Sequence, residues 1–179
     1  NHIAKIKPDG TPDTWNPNVT GNSVDALAID GSDNVYAGGC FIAVGGQTRN
    51  YIAKIKPDGS VDTWNPNANN YVNALALDKN DNVFAGGLFT NIGGQIRNRI
   101  AKIKPDGSVD TWNPDADDNV RALVYDGNGN VYACGDFTNI GGQTRNYIAK
   151  IKPDGTADTW APNANFFVYD LVLDSSNNI

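Results

Sequence analysis

The sequence predicts an all-β fold: a β-propeller of four-stranded antiparallel blades, about four repeats of 48 residues, circularly offset at the termini. Three observations predict it. Trp15, Trp64, Trp112 and Trp160 recur at spacings of 49, 48 and 48 residues. Gly38-Gly39, Gly86-Gly87 and Cys134-Gly135 recur every 48. Within each period, turn residues divide the chain into four short apolar runs, and no stretch sustains a helical period. Four strands in a unit of roughly 40–50 residues is the arithmetic of a propeller blade. The extra residue of the first interval falls in segment 18–23, against 67–71 in the next copy, so one loop insertion explains it.

The copy spanning 72–119 shows each element in turn. Residues 72–78 form the first strand and 82–87 the second, joined through the polar Lys79-Asn80-Asp81 turn as a hairpin. A longer connection, 88–98, leads to the third strand at 99–104. Pro105-Asp106-Gly107 then turns the chain, because Pro presets φ for the first turn position and Gly accepts the left-handed one. The fourth strand, 109–112, ends at Trp112 before Asn113-Pro114. Small residues (Ala26, Ala74 and Ala122, with Ala28 and Ala76) lie on the first strand, nearest the crowded axis. Trp falls on the fourth, where blades are widest and an indole covers the gap to a neighbour, so Trp15, Trp64, Trp112 and Trp160 read as structural.

The chain opens on strands three and four (1–23), continues through copies 24–71, 72–119 and 120–167, and closes on strand one and the start of strand two (168–179). This offset suits a ring sealed by pairing its two ends, which removes exposed strand edges. Residues 1–179 are therefore expected to be a single propeller domain or a piece of a larger ring, with self-association completing a ring or array.

Composition narrows the function. All 20 acidic residues are Asp, Met is absent, and Gly and Asn are abundant, which favours turns over helix. With 14 Lys and Arg the net charge is −6, so the cationic surplus that neutralises phosphate is missing and nucleic acid is not an expected partner. No apolar run approaches the roughly 18 residues of a membrane span, so membrane insertion is not expected. Cys40 and Cys134 occupy different phases of the repeat, which gives no reason to pair them.

The run 85–95, Ala-Gly-Gly-Leu-Phe-Thr-Asn-Ile-Gly-Gly-Gln, is followed at 98–110 by Asn-Arg-Ile-Ala-Lys-Ile-Lys-Pro-Asp-Gly-Ser-Val-Asp. Together they resemble the bacterial delta-sixty β-propeller repeat, in which Gly-Gly-x-Phe-Thr precedes an Arg-Ile-Ala-Arg-Leu-like strand and an Asp-Gly-Ser-x-Asp turn. The likeness recurs in every copy. It implies a propeller of the kind found in secreted or surface proteins of bacteria, and it brings no catalytic or binding residues with it. Lys stands where that family often has Arg, and Trp where Phe is common. A looser likeness to kelch repeats rests on Gly38-Gly39, Tyr51 and Trp64 and implies the same architecture.

Two constellations carry possible chemistry. The second-to-third-strand connections repeat Gly-Gly-Gln-x-Arg-Asn, which gives Gln47, Arg49 and Asn50, then Gln95, Arg97 and Asn98, then Gln143, Arg145 and Asn146. In a propeller these emerge on the same face as the fourth-to-first connections, such as 65–69. One polar pocket per blade would result, suited to a sugar's hydroxyls, and repetition would add avidity. The alternative role is to satisfy loop carbonyls between blades. The hairpin turns place Asp30, then Asp78 and Asn80, then Asp126 and Asn128, in an alternation that echoes the start of a calcium loop. A chain without Glu lacks the bidentate closing ligand, and Asx residues suit tight turns unaided. Calcium is thus the only cofactor suggested. Asp13, Asp62, Asp110 and Asp158 are expected to pair across the turn with Lys7, Lys56, Lys104 and Lys152.

With His2 as the single histidine, no Ser-His-Asp or Cys-His set can be assembled, and near-identical copies argue against one asymmetric active site. The expected function is a non-catalytic interaction or structural propeller, extracellular or at the cell surface, with a protein or glycan partner. A multivalent carbohydrate-binding propeller is the second reading. An enzyme with its site at the mouth of a larger ring has no support in these motifs.

Overall fold

In the computed structural model, which describes residues 2–179, each of the three full copies is built around an antiparallel sheet of its own. Asn1, where the first partial repeat was expected to begin, lies outside the described residues. The first sheet consists of β1 (Val19–Ile29), β2 (Val35–Val44), β3 (Gln47–Thr48) and β4 (Ile52–Ile55), with β4 paired to β2. The second has β5 (Val72–Leu77), β6 (Val83–Gly87) and β9 (Ile100–Ile103) in the order β5-β6-β9, flanked by a small hairpin of β7 (Asn91–Ile92) and β8 (Gln95–Ile96). The third repeats it with β10 (Val120–Tyr125), β11 (Val131–Gly135) and β14 (Ile148–Ile151) as β10-β11-β14, beside the hairpin β12 (Asn139–Ile140) and β13 (Gln143–Thr144).

The registers of the copies superpose. Val83 faces Ile103 and Val131 faces Ile151, while Leu77 faces Val83 and Tyr125 faces Val131. The extra residue of the first copy is absorbed as bulges in β1 around Gly21, whose Cβ position would fall 2.3 Å from the Phe41 Cα. The hairpins inside the second-to-third connections were not foreseen. Gly93 and Gly94 have φ of 59° and 73°, the paired left-handed values of a two-residue turn matched to strand twist.

The fourth strand departs from expectation. It holds through one isolated bridge per copy, Ile55 to Val61, Ile103 to Val109 and Ile151 to Ala157. Its shortness has a local cause: Asp62, Asp110 and Asp158 each turn a carboxylate oxygen back to accept the N–H of the Trp two residues on, at 2.8, 2.9 and 2.8 Å, which bends the chain out of the ladder. The same turn explains why one of the four expected cross-turn ion pairs forms among the described residues, Lys104 with Asp110 at 3.9 Å. Lys54 and Lys102 instead reach Asp30 and Asp78 across the sheet, both at 3.2 Å. Residues 168–179 carry no ladder, and residues 2–16 only the bridge from Ile6 to Pro12. The two ends, expected to seal the ring by pairing, form no ladder with each other among the described residues.

The core lies between blades, in three layers. In the middle layer Tyr36, Ile52 and Trp64 of one blade close on Val72, Leu75 and Ile103 of the next. Three of the four indoles sit at blade junctions, and Trp160 is half-buried. Trp15, Trp64 and Trp112 are buried, and their Nε1–H groups donate to Lys56, Lys104 and Lys152 carbonyls of the following blade at 3.2, 3.1 and 3.1 Å. Trp64 and Trp112 also meet Tyr36 and Phe84 edge-on, with centroids 5.2 and 5.1 Å apart. Near the axis the Gly pairs permit close approach. A Cβ on Gly86 would lie 2.6 Å from Val120 Cγ1 of the next blade, and one on Gly87 would lie 2.1 Å from the Tyr71 carbonyl oxygen.

Urea unfolding checks this division of labour. Trp112→Ala is expected to cost about 3–5 kcal/mol, Trp112→Phe about 1 kcal/mol or somewhat more through the lost hydrogen bond, and Gly87→Ala about 1–3 kcal/mol through overpacking. Equal costs for Trp112→Phe and Trp112→Ala would mean that the indole hydrogen bond, not the buried ring, joins the blades.

Candidate functional site

The structure brings the second-to-third and fourth-to-first connections together on one face, and it uses most of their polar groups there. The terminal nitrogens of Arg97 donate to the Ile96 and Asp110 carbonyls, both at 2.7 Å. Arg49 and Arg145 repeat the pattern, on Thr48 and Asp62 and on Thr144 and Asp158. Arg49 is also bonded to Gln47 at 3.1 Å and is buried. Asn50, Asn98 and Asn146 reach Asn67, Asp115 and Asn163 of the neighbouring loop. Gln95 and Gln143 are exposed, as Gln47 is. A cavity of about 390 Å³ opens at the junction of the second and third blades, and Asn98 and Asp115 line it with Arg99, Asp117 and Asn139. Asp117 spans that junction by accepting the Thr138 and Asn139 N–H groups at 2.8 and 2.9 Å.

The hairpin aspartates sit on the opposite ends of the strands. Asp78 accepts the Asn80 N–H at 2.9 Å, the Asn82 N–H at 3.0 Å and the Asn82 amide at 2.8 Å, besides its ion pair with Lys102. Asp30 and Asp126 repeat this on Ser32 and Asn34 and on Asn128 and Asn130. Each carboxylate therefore organises its own turn. Burial opposes ionisation of Asp78, yet the Asn82 side chain, the Asn80 and Asn82 N–H groups and Lys102 together hold its pKa below 3.8. Among the described residues, no group of three His, Cys, Asp or Glu side chains comes together.

A second cavity lies among the first strands of successive copies, the axial side of a propeller, where sequence reasoning did not look. Asp25, Asn73, Arg121 and Tyr169 hold the same phase of successive repeats, on the first strand in the three full copies, and all four line one cavity of about 430 Å³ together with Leu27, Leu75, Leu123 and Asp170. The flanking positions stay nearly constant, with Leu27, Leu75, Leu123 and Leu171 two residues on. Polar contacts join the blades around this mouth. Asn73 donates to the Asn119 side chain of the next copy at 2.9 Å, and within the third copy Arg121 grips Asp136 through two bonds of 2.6 and 2.8 Å. The Arg121 guanidinium also lies 4.8 Å from the Tyr169 ring centre. Its pKa is raised, first by the Asp136 hydrogen bond. On the first blade, Ser23 donates to Asp25 at 3.1 Å. The signal was legible in part: this position varies in charge and size while the leucine two residues on stays constant.

Comparison with known proteins agrees with the fold. A family model described as a domain of unknown function (DUF5122) beta-propeller matches residues 31–63, 80–111 and 127–159. No curated protein matches the sequence. Among solved structures, virginiamycin B lyase from Staphylococcus aureus is similar at a TM-score of 0.56 and 21% identity, over 88% of this chain and 47% of that one. XC5397 from Xanthomonas campestris, a gluconolactonase, is similar at 0.62 and 12% identity, over 97% of this chain and 59% of that one. The chain thus spans about half the length of the structures it resembles. At these identities the likeness establishes the fold.

One expectation is corrected. The chain was expected not to be an enzyme, and both of these propellers are enzymes. The expectation rested on treating the copies as interchangeable, whereas the four copies present different side chains to the axis.

The depressed pKa values of Asp30 and Asp78 carry a sign for stability. A carboxyl whose folded pKa lies below its unfolded value stabilises the fold above the unfolded value, and that contribution is lost as pH falls through the folded one. Acid titration followed by circular dichroism should show stability declining below about pH 4. Asp78→Asn should lower stability at neutral pH and flatten the acid limb. An unchanged limb would assign acid sensitivity to other carboxylates.

Proposed function

We propose that this chain, which belongs to the DUF5122 β-propeller family, takes a carbohydrate ligand at the mouth of its axial channel. The observation that carries the reading is the divergence of one repeat position into Asp25, Asn73, Arg121 and Tyr169 around a single cavity. A repeat maintained only for packing has no use for four chemistries at one position facing a void. A concave site with a few convergent polar groups is also the usual form of a small-molecule pocket. The set suits a sugar: Asp25 and Asp170 accept from hydroxyls, Asn73 both donates and accepts, Arg121 donates, and Tyr169 offers an apolar face to a ring. Arg121 is already neutralised by Asp136, and Asp25 and Asp170 add negative charge. That balance favours a neutral ligand over an anionic one and agrees with a net charge of −6. The reading takes a glycan as partner and the cell exterior as setting, the latter supported by the resemblance to delta-sixty repeats.

A second reading keeps one pocket per blade, and the cavity at Asn98, Asp115 and Asn139 favours it. Stoichiometry separates the two. A glycan array followed by calorimetry should find a sugar bound once per chain, with affinity reduced at least tenfold, about 1.4 kcal/mol, by Asn73→Ala or Asp25→Ala. Several equivalent sites per chain, lost instead in Asn98→Ala, would move the ligand to the blades. Uniform silence on the array sinks both. Mass spectrometry of the released sugar shows whether it leaves unchanged.

A further inference from the structure

Tyr51, Arg99 and Tyr147 occupy equivalent positions just before the third strand, and their backbones have φ of 65°, 64° and 67°. Every other described residue with a positive φ is Asn, Asp or Gly. A bulky side chain in the left-handed region is strained, and each copy holds one there. The surrounding ladder imposes it. Tyr51 N–H donates to the Phe41 carbonyl at 2.9 Å, its own carbonyl accepts from Gly39 at 3.0 Å, and the other two copies repeat both bonds. In the two tyrosine copies the kink brings the ring to the residue two positions before the axial one of the next copy, Tyr71 before Asn73 and Phe167 before Tyr169, which puts these pairs beside the axial cavity, whereas the Arg99 guanidinium donates back to the Leu88 and Phe89 carbonyls.

What meets there differs by junction. Between the first and second blades the Tyr51 ring lies 5.8 Å from Tyr71, which is 39% exposed. Beyond the third blade Tyr147 lies 5.5 Å from Phe167, which is 37% exposed. At the junction between these two, the equivalent residues are Arg99 and Asn119, and Asn119 is bonded to Asn73 in the axial network. The rim therefore runs aromatic, polar, aromatic. Each aromatic pair leaves apolar surface in water, although any Asn or Gly would relax the kink that carries the tyrosine.

We infer that the mouth is built for an extended oligosaccharide, with the Tyr51–Tyr71 and Tyr147–Phe167 pairs as stacking platforms on either side of the axial pocket. This rests on the axial reading above. A sugar chain offers apolar ring faces separated by hydroxylated edges, and the alternation of platforms with the Asn73 and Arg121 centre matches that order. Linked sugars engage successive subsites at high effective concentration, so chain length, not the single sugar, sets affinity.

The test is calorimetry of the whole chain against neutral glucan and N-acetylglucosamine series, from monosaccharide to roughly hexasaccharide. Affinity is expected to rise at least tenfold along a series that binds. Tyr51→Gly with Tyr147→Gly should bind the monosaccharide as the parent does and lose the rise with length. Tyr51→Phe with Tyr147→Phe should keep it. Because glycine suits a φ near +65°, the glycine variant is expected to stay folded, and its melting temperature checks that. A length-independent affinity, or a glycine variant that retains the rise, overturns the platforms while leaving the axial pocket in place. Tyrosine-dependent binding that ignores Asn73→Ala leaves the platforms and removes the axial pocket. No binding at any length removes both.

Discussion

Each blade of this propeller is joined to the next through an indole, and the rest of the architecture depends on that joint. A three-stranded ladder with a rudimentary fourth strand cannot bury both faces alone, so its stability comes from the neighbour. Trp64 supplies buried ring surface, an edge-on contact with Tyr36 and a hydrogen bond to the Lys104 carbonyl of the next blade. That carbonyl belongs to the turn Pro105-Asp106-Gly107, where a Cβ on Gly107 would lie 3.4 Å from the Trp64 ring. The turn motif and the tryptophan are thus two halves of one contact, which explains why they recur in step.

The same economy governs the polar residues. Asp is the only acidic residue here, and its short side chain closes local turns that Glu would overreach. Asp62 and Asp110 bend the fourth strand, Asp78 closes the hairpin, and Asp117 ties the junction between blades. Arg97 does equivalent work from the other side by capping the Asp110 carbonyl. These residues are repeated because each blade needs the same turn. Their repetition is evidence about the backbone before it is evidence about a ligand.

Function enters where the copies stop agreeing. Packing demands sameness at Leu75 and Leu123, or at Gly87 and Gly135, because each faces an equivalent neighbour. Leu75 and Leu123 also border the axial cavity and stay constant because they are packed, whereas the polar position two residues before them is not held by packing. Asp25, Asn73, Arg121 and Tyr169 diverge there, and the rim pairs diverge beside them as Tyr51 with Tyr71, Arg99 with Asn119 and Tyr147 with Phe167. A pseudo-symmetric scaffold can in this way hold an asymmetric site.

The sequence alone determined most of the blade: its first three strands, its turns, the small alanines of the first strand and the tryptophans at the blade junctions. These follow from local chemistry and from a period that any reader can count. It also placed Asn50, Asn98 and Asn146 beside the fourth-to-first loops, where they are found. Only the tertiary structure decided which polar residues are occupied and which remain available. In sequence Arg49 and Arg97 read either as ligand contacts or as partners for loop carbonyls, and folding turns them onto carbonyls 13 residues away. Arg121 and Tyr169 look unrelated at a separation of 48 residues, and folding sets one over the other. The physical reason is the stacking of successive blades, which brings first-strand residues of equal phase side by side, so that what is periodic in the chain becomes a neighbourhood in space.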